Sequence, residues 1–312
     1  MKSKIRYFLE VIIFHLHTFF SRVRFFLSKD NSLNEIYSSN KSKKCIVLGN
    51  GPSIKNDIEV IKKQIGNSDY LAVNHFCESS DFEILKPNKY VLLDEYFWHP
   101  DASLDLIEKR DKMFSALNKV SWEIELFLPY YSDKSFIKNK IDNNFITINF
   151  YKVVPVQGIT INNDKIIRLF DSGTYGPAAC NVLIYGVYVA IMSGYKDIEI
   201  FGADFSFHND VFVDQKDNSL KIKYKHFYGE SEYVPFMKNP TKKEAFRMSE
   251  FMHITYETCL AHDRLSKLAE KRGIKIRNRS TMVAIITTGT FHQKSLTLTS
   301  QQLQKLKLIM LS

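Results

Sequence analysis

The sequence predicts an α/β fold built on a single, doubly wound and mostly parallel sheet. Three observations carry that reading. Short apolar runs of strand type recur at Cys45-Leu48, Tyr70-Val73, Tyr90-Leu93, Glu125-Leu128, Phe145-Ile148 and Ile198-Phe201. Helical patterns separate them, notably Ile54-Ile65, Ser103-Ser115 and Tyr175-Ser193. The first run breaks directly into Gly49-Asn50-Gly51-Pro52-Ser53, a glycine-rich turn that opens a helix. Strands alternating with helices imply helices on both sheet faces and ligands at the carboxyl ends of the strands.

Each element follows from its residues. In the first turn, Gly49 and Gly51 admit positive φ and close approach of a ligand to the backbone. Pro52 suits the first helical turn, and Ser53 sets a hydroxyl beside free amides. This is neither a Gly-Lys-Ser/Thr phosphate loop nor a three-glycine dinucleotide fingerprint, so it suggests a nucleotide without naming one. The Tyr175-Ser193 helix is expected to cross the sheet and feed Ile198-Phe201. Just before it, Asp171-Ser172-Gly173-Thr174-Tyr175-Gly176 offers Ser172 as N-cap and a second anion pocket. Residues 206–240 break the rhythm and read as a polar, aromatic lid. A helix over Lys242-Arg272 and a late strand at Ile274-Ile276 complete the domain, taken as residues 45–286. Residues 287–312 read as a tail.

The first 30 residues differ in kind. Leu9 to Phe20 is apolar, flanked by Lys2, Lys4 and Arg6 on one side and Arg22, Arg24 and Lys29 on the other. The run falls short of the ~20 residues that cross a bilayer, and no small-residue cleavage site follows it. A basic, aromatic helix lying on an anionic membrane surface fits, at the cytoplasmic face of the inner membrane; a helix docked on the protein's own core is the alternative. Asp30 to Lys44 is polar and reads as a linker.

Composition narrows the partners. A formal charge of +9 draws anionic lipid, anionic substrates or nucleic acid. No basic run with interleaved aromatics marks a nucleic-acid groove, so that partner is not expected. Cys45, Cys77, Cys180 and Cys259 lack ligand or disulfide spacing and read as buried thiols in a reducing compartment. Asp-x-Asp is absent, so the metal-clamping dyad of many nucleotide-sugar transferases is missing.

Chemistry is expected at the strand ends. Asn74-His75 follows the second strand, Asp94-Glu95 the third, and Gly202-Ala203-Asp204 the run Ile198-Phe201. Such side chains read a ribose, a base edge or a sugar hydroxyl. His226 lies in the lid among lysines and tyrosines, where an imidazole can accept a proton from an acceptor hydroxyl. His75, His99 and His208 are weaker candidates, while His253 and His262 fall on a helix and read as structural.

In order and spacing these residues resemble a family. Gly49-Asn50-Gly51-Pro52-Ser53, Val73-Asn74-His75-Phe76, Ser172-Gly173, Gly194-Tyr195-Lys196-Asp197-Ile198 and Gly202-Ala203-Asp204-Phe205 follow one another as in the bacterial sialyltransferases of glycosyltransferase family 42. The pattern is also similar to flagellin-modifying transferases that use CMP-activated nonulosonic acids, and it covers roughly residues 44–280. The resemblance implies a Rossmann-like, GT-A-like domain with a lid, a CMP-linked donor, no cofactor or metal, and inverting transfer by a histidine base. Asn50, Gly51, Pro52 and Ser53 would then cradle CMP, Asn74 would touch the nucleotide, and Asp204 would bind cytidine. Ser172 and Gly173 would lie near the donor carboxylate. Asp94 stands where the family has Asn, and a carboxylate there repels the donor's own carboxylate unless protonated or paired. The family's two phosphate-stabilising tyrosines are replaced around Phe205-Ser206-Phe207, with Tyr224, Tyr228 or Lys225 as substitutes. The base falls on His226 or, by strict spacing, on Glu230.

The expectation is therefore a membrane-associated glycosyltransferase acting on a glycan or lipid-linked acceptor in lipopolysaccharide or capsule assembly, with self-association left open. Two rivals stand beside it. One is an ATP-dependent enzyme like the pterin pyrophosphokinases; the other is a non-catalytic module of a glycan-assembly complex.

Overall fold

The computed structural model describes residues 42–156, 163–178, 181–205, 209–226, 229–230, 232–238 and 244–280, together with Leu16, Phe19, Phe20, Val23 and Leu27. Its centre is a seven-stranded sheet of β1 (Lys44–Leu48), β2 (Asp69–Val73), β3 (Lys89–Val91), β4 (Ile124–Pro129), β5 (Ile146–Tyr151), β8 (Asp197–Phe201) and β14 (Lys275–Asn278). The order is β14-β8-β1-β2-β3-β4-β5, and every pair is parallel. The chain lays down β1 to β5 in one direction, then returns to place β8 on the other side of β1. That reversal is the switch point of the sheet.

Two apolar layers cover the sheet, because successive side chains of a strand point to opposite faces. Ile46, Leu48, Tyr70, Ala72, Tyr90, Leu92, Leu126 and Leu128 face one layer. It is closed by α1 (Ile54–Lys62), α2 (Phe82–Leu85), α3 (Leu104–Leu117) and α4 (Lys134–Lys140). Cys45, Val47, Leu71, Val73, Val91, Phe127, Ile198 and Ile200 face the other, under α5 (Asn163–Asp171), α6 (Val182–Met192) and α7 (Met248–Lys271). Burial on both faces is why these strands read as unbroken apolar runs. At the amino ends of the strands the fully buried Lys89 pairs with Glu125 at 2.8 Å, and Tyr195 donates to Asp69 at 2.8 Å.

The predicted helix over Tyr175-Ser193 is divided. Tyr175–Pro177 is a short strand, β7, parallel to β6 (Val154–Val156), and α6 begins only at Val182 with Asn181 as its cap. Proline at 177 has no amide to continue a helical ladder, which accounts for the break. The predicted helix over Lys242-Arg272 starts at Met248; Ala245 instead bridges Met237. The lid carries more structure than its sequence suggests. β9 (Val211–Val213), β10 (Leu220–Ile222) and β13 (Val234–Pro235) form an antiparallel sheet in the order β13-β10-β9. Leu220, Ile222 and Phe236 of this unit pack on Phe251 of α7, with Tyr224, Phe246 and Ile254 around them. A two-residue ladder joins β11 (Lys225–His226) to β12 (Gly229–Glu230). Cys45 and Cys77 are buried thiols and Cys259 is half-buried; Cys180 lies outside the described residues, as do the linker up to residue 41 and the tail.

Candidate functional site

The carboxyl ends of β1, β8, β2 and β3 gather the polar residues that the sequence singles out. At the switch point the Gly49 amide donates to the Phe201 carbonyl at 2.8 Å, and the Gly51 amide donates to the Gly202 carbonyl at 3.0 Å. A Cβ on Gly49 would stand 2.4 Å from the Gly202 oxygen, and one on Gly51 would stand 2.6 Å from Asp204 Oδ2. The glycines are therefore required by the protein's own backbone. Gly49 and Gly51 admit positive φ but do not use it; at this junction it is Gly202 that does, at +67°.

Asp204 occupies the position that sequence reasoning left for a phosphate. Its Oδ2 accepts the Ser53 amide at 2.8 Å, so a carboxylate from β8 caps the amino end of α1. Ser53 itself makes no side-chain cap. Burial raises the Asp204 pKa, and its bonding to Ser53 opposes the rise. Three buried polar atoms remain without a hydrogen-bond partner around this junction: Asn50 Oδ1, Ser53 Oγ and Asp204 Oδ1. Asn50 is held through its other end, where Nδ2 donates to the Val73 carbonyl at 3.2 Å. Unsatisfied buried polar atoms are rare in folded proteins. Two acceptors and a hydroxyl in one place suit a ligand carrying O–H or N–H donors.

Next to this junction, β2 and β3 end in a second cluster. Asn74 is buried with φ +45°. Its carbonyl accepts the Tyr90 hydroxyl at 2.5 Å, and its Nδ2 donates to Asp94 Oδ2 at 2.6 Å. Burial pushes the Asp94 carboxyl up to about 6 against the opposing influence of His75 and Asn74. His75 is buried between Glu78, 2.5 Å from its Nδ1, and the Tyr96 hydroxyl at its Nε2; its ring stacks on Tyr96 at 5.9 Å. Tyr131, after β4, has its phenol pKa raised by burial and by the charges of Glu95, Tyr130 and Asp94. Tyr224 of the lid responds likewise to burial and to Asp94. The lid thus faces the end of β3.

Sequence reasoning joined Asn50, Gly51, Pro52, Ser53, Asn74, Asp94, Asp204 and Tyr224, and the fold brings these to one edge. It does not bring Ser172 and Gly173 there as expected. With α6 starting at Val182, Ser172 caps no helix start. It is exposed at the carbonyl end of α5, where its Oγ donates to the Leu169 carbonyl at 2.6 Å. A helix's carbonyl end repels anions, so the expected second anion pocket is withdrawn. Asp171 beside it pairs with Lys271 and Arg272 of α7, both at 2.6 Å. The backbones of His226 and Glu230 lie in β11 and β12, but their side chains, and Tyr228 and His208 entirely, fall outside the described residues. His262 is buried with a pKa near 4, and His253 is exposed on α7. His75, rated weak from sequence, sits at the centre of the cluster with Glu78, Tyr96 and Tyr131, which sequence reasoning missed. The His75–Glu78 spacing on one turn was the available signal. A shallow groove of about 980 Å³ beside α3 shares only Glu78 with this cluster.

No protein-family model matches the sequence, and neither does any curated protein. Among solved structures the chain is similar to the MAf glycosyltransferase from Magnetospirillum magneticum AMB-1, at 16% identity and a TM-score of 0.44. The match covers 88% of this chain and 37% of that one, so the chain spans little more than a third of that protein's length.

Proposed function

We propose that this chain is a glycosyltransferase that transfers a sialic-acid-like sugar, with inversion, from a CMP-activated donor to a glycan acceptor. The single observation that best supports it is the trio of unpartnered buried atoms, Asn50 Oδ1, Ser53 Oγ and Asp204 Oδ1, at the switch point of a parallel sheet. With Ser53's amide already taken by Asp204, the trio fits the hydroxyl and amino groups of a nucleoside better than a phosphate. The leaving phosphate then lies toward β2 and β3. There the Tyr131 and Tyr224 phenols, protonated at neutral pH as phenols are, supply donors to its developing charge. On this reading the reaction uses no metal, and chelator leaves the rate unchanged.

Thermal-shift measurement against CMP, CDP, UDP and ATP tests the reading. A ligand that binds only the folded state raises its stability by RT ln(1 + [L]/Kd), which at 100-fold Kd is about 2.7 kcal/mol. Stabilisation by CMP is the expected result. Stabilisation by ATP with magnesium alone moves the chain to the pyrophosphokinase class, and no response to any nucleotide leaves a non-catalytic module.

A second observation supports a membrane-surface location. Leu16, Phe19, Phe20, Val23 and Leu27 are helical, and each is more than 40% exposed. At 3.6 residues per turn these five positions fall within an arc of about 100°. No helix among the described residues is long and apolar enough to cross a membrane. The same stretch carries Arg22, Arg24 and Lys29, the charge that anionic headgroups attract.

A further inference from the structure

The transfer reaction needs a base, and the strand-end cluster holds one. We propose that Asp94, rather than the lid histidine, takes the proton from the attacking hydroxyl. This rests on the glycosyl-transfer reading above and adds to it the identity of the proton acceptor.

Asp94 follows β3, two strands from β1 in the sheet, and neighbouring strands lie ~4.8 Å apart. The carboxylate is therefore about 10 Å along the edge from the Gly49–Ser53 turn, room for a nucleoside at the turn and its phosphate ester between. The anomeric carbon then comes to rest near Asp94, with the attacking hydroxyl between them and the donor's carboxylate, which Asp94 repels, turned to the far side. Asn74 is a non-glycine residue held at φ +45°, with Tyr90 on its carbonyl and the Leu93 amide 3.4 Å from its Oδ1. Backbone of that kind persists where surrounding contacts over-determine it, and such sites cluster at functional centres. Its outcome here is to aim Nδ2 at Asp94 Oδ2. Among the described residues this is the one hydrogen bond to the Asp94 side chain, and no lysine or arginine pairs with it, so Oδ1 is left for a substrate hydroxyl. The titratable groups that interact with it are His75, Tyr131 and Tyr224; Glu95 follows it in the chain and acts on the same Tyr131. A carboxylate that titrates near 6 is ionised at neutral pH and still basic enough to accept a proton.

In the step itself the acceptor O–H bond breaks and its proton passes to Asp94 Oδ1. The acceptor oxygen's electron pair forms the new bond to the anomeric carbon. The bond from that carbon to the phosphate oxygen breaks, and its electron pair leaves on CMP. Asp94 then returns the proton to solvent. His75, clamped by Glu78 and Tyr96, is a positioning residue beside Asp94.

The test is CMP release from CMP-activated sialic acid with water as acceptor, together with CMP thermal shift, on the full-length chain. Wild type is expected to show a rate that rises with pH through about 6. Asp94→Asn keeps a partner for Asn74 and should retain the CMP shift while losing 10²-fold or more in turnover, along with that acid limb. His226→Ala should stay within a few-fold of wild type, with the limb intact. Asp94→Asn turnover within threefold of wild type would overturn the assignment, as would loss of turnover in His226→Ala with CMP binding preserved. Failure of the glycosyl-transfer reading would show earlier, as wild-type protein that neither responds to CMP nor releases it.

Discussion

Replacing Asp94 by Asn should stabilise the protein at neutral pH while impairing it as a catalyst. In the unfolded chain this carboxyl titrates near 3.8, and in the fold burial moves it to about 6. The folded state therefore holds the proton more tightly. Wild-type stability is highest below pH 4 as far as this group is concerned, falls as pH rises from about 4 to 6, and stays lower above that. Two pKa units at 1.36 kcal/mol each set a ceiling of roughly 3 kcal/mol. Because Asp94 keeps part of its surface in water, the expected value is nearer 1–2 kcal/mol. Asparagine has nearly the same shape, accepts from Asn74 Nδ2 and never ionises. Urea unfolding of both proteins at pH 4 and pH 7.5 reads the term, since titrations of groups not coupled to Asp94 cancel in the difference. The variant should match wild type at pH 4 and exceed it by about 1–2 kcal/mol at pH 7.5. An equal difference at both pH values, or a variant less stable at pH 7.5, would refute the argument that burial of a charge governs this site.

Three further outcomes follow from the same geometry. Gly202→Ala puts a Cβ 2.7 Å from the Gly49 carbonyl oxygen at φ +67°, and should cost about 3 kcal/mol or more, read as a fall in thermal midpoint or soluble yield. Asp204→Asn preserves an acceptor for the Ser53 amide but replaces the free carboxylate oxygen with an NH₂ donor. Its fold should survive with the CMP-induced thermal shift lost, and an undiminished shift would remove Asp204 from the nucleotide pocket. Replacing both Phe19 and Phe20 by Glu removes two exposed anchors worth roughly 1.5–3 kcal/mol each when buried. Cosedimentation with vesicles containing phosphatidylglycerol should drop more than tenfold, with no change on neutral phosphatidylcholine vesicles, where binding is weak from the start.

Much of the fold is legible in the chain because its strands are buried on both faces. Runs such as Cys45-Leu48 and Ile198-Phe201 could serve few other purposes, and the observed strands begin one residue earlier, at Lys44 and Asp197. Tyr175-Gly176-Pro177 misled, since its apolar continuity with α6 outweighed the one residue, Pro177, that ends a helical reading. Ser172 was misread in consequence: a serine between two helices caps whichever one geometry offers, and here the carbonyl end of α5 is the neighbour. The turn after β1 shows the same limit from the other side. Its glycines were correctly marked as places of close approach, yet what approaches is Gly202 and Asp204, more than 150 residues along the chain.

Alternation of apolar runs and the glycine turn thus determined, by themselves, an α/β sheet with polar residues waiting at its carboxyl edge. Tertiary structure decided which of those residues meet. Strand order placed β8 beside β1 and so made Asp204 the cap of α1; it placed β3 beside β2 and so joined Asn74 to Asp94 and His75 to Tyr96. Neighbourhood across a parallel sheet depends on how the chain winds, and the energy of burying a carboxylate depends on what surrounds it. Local periodicity carries neither.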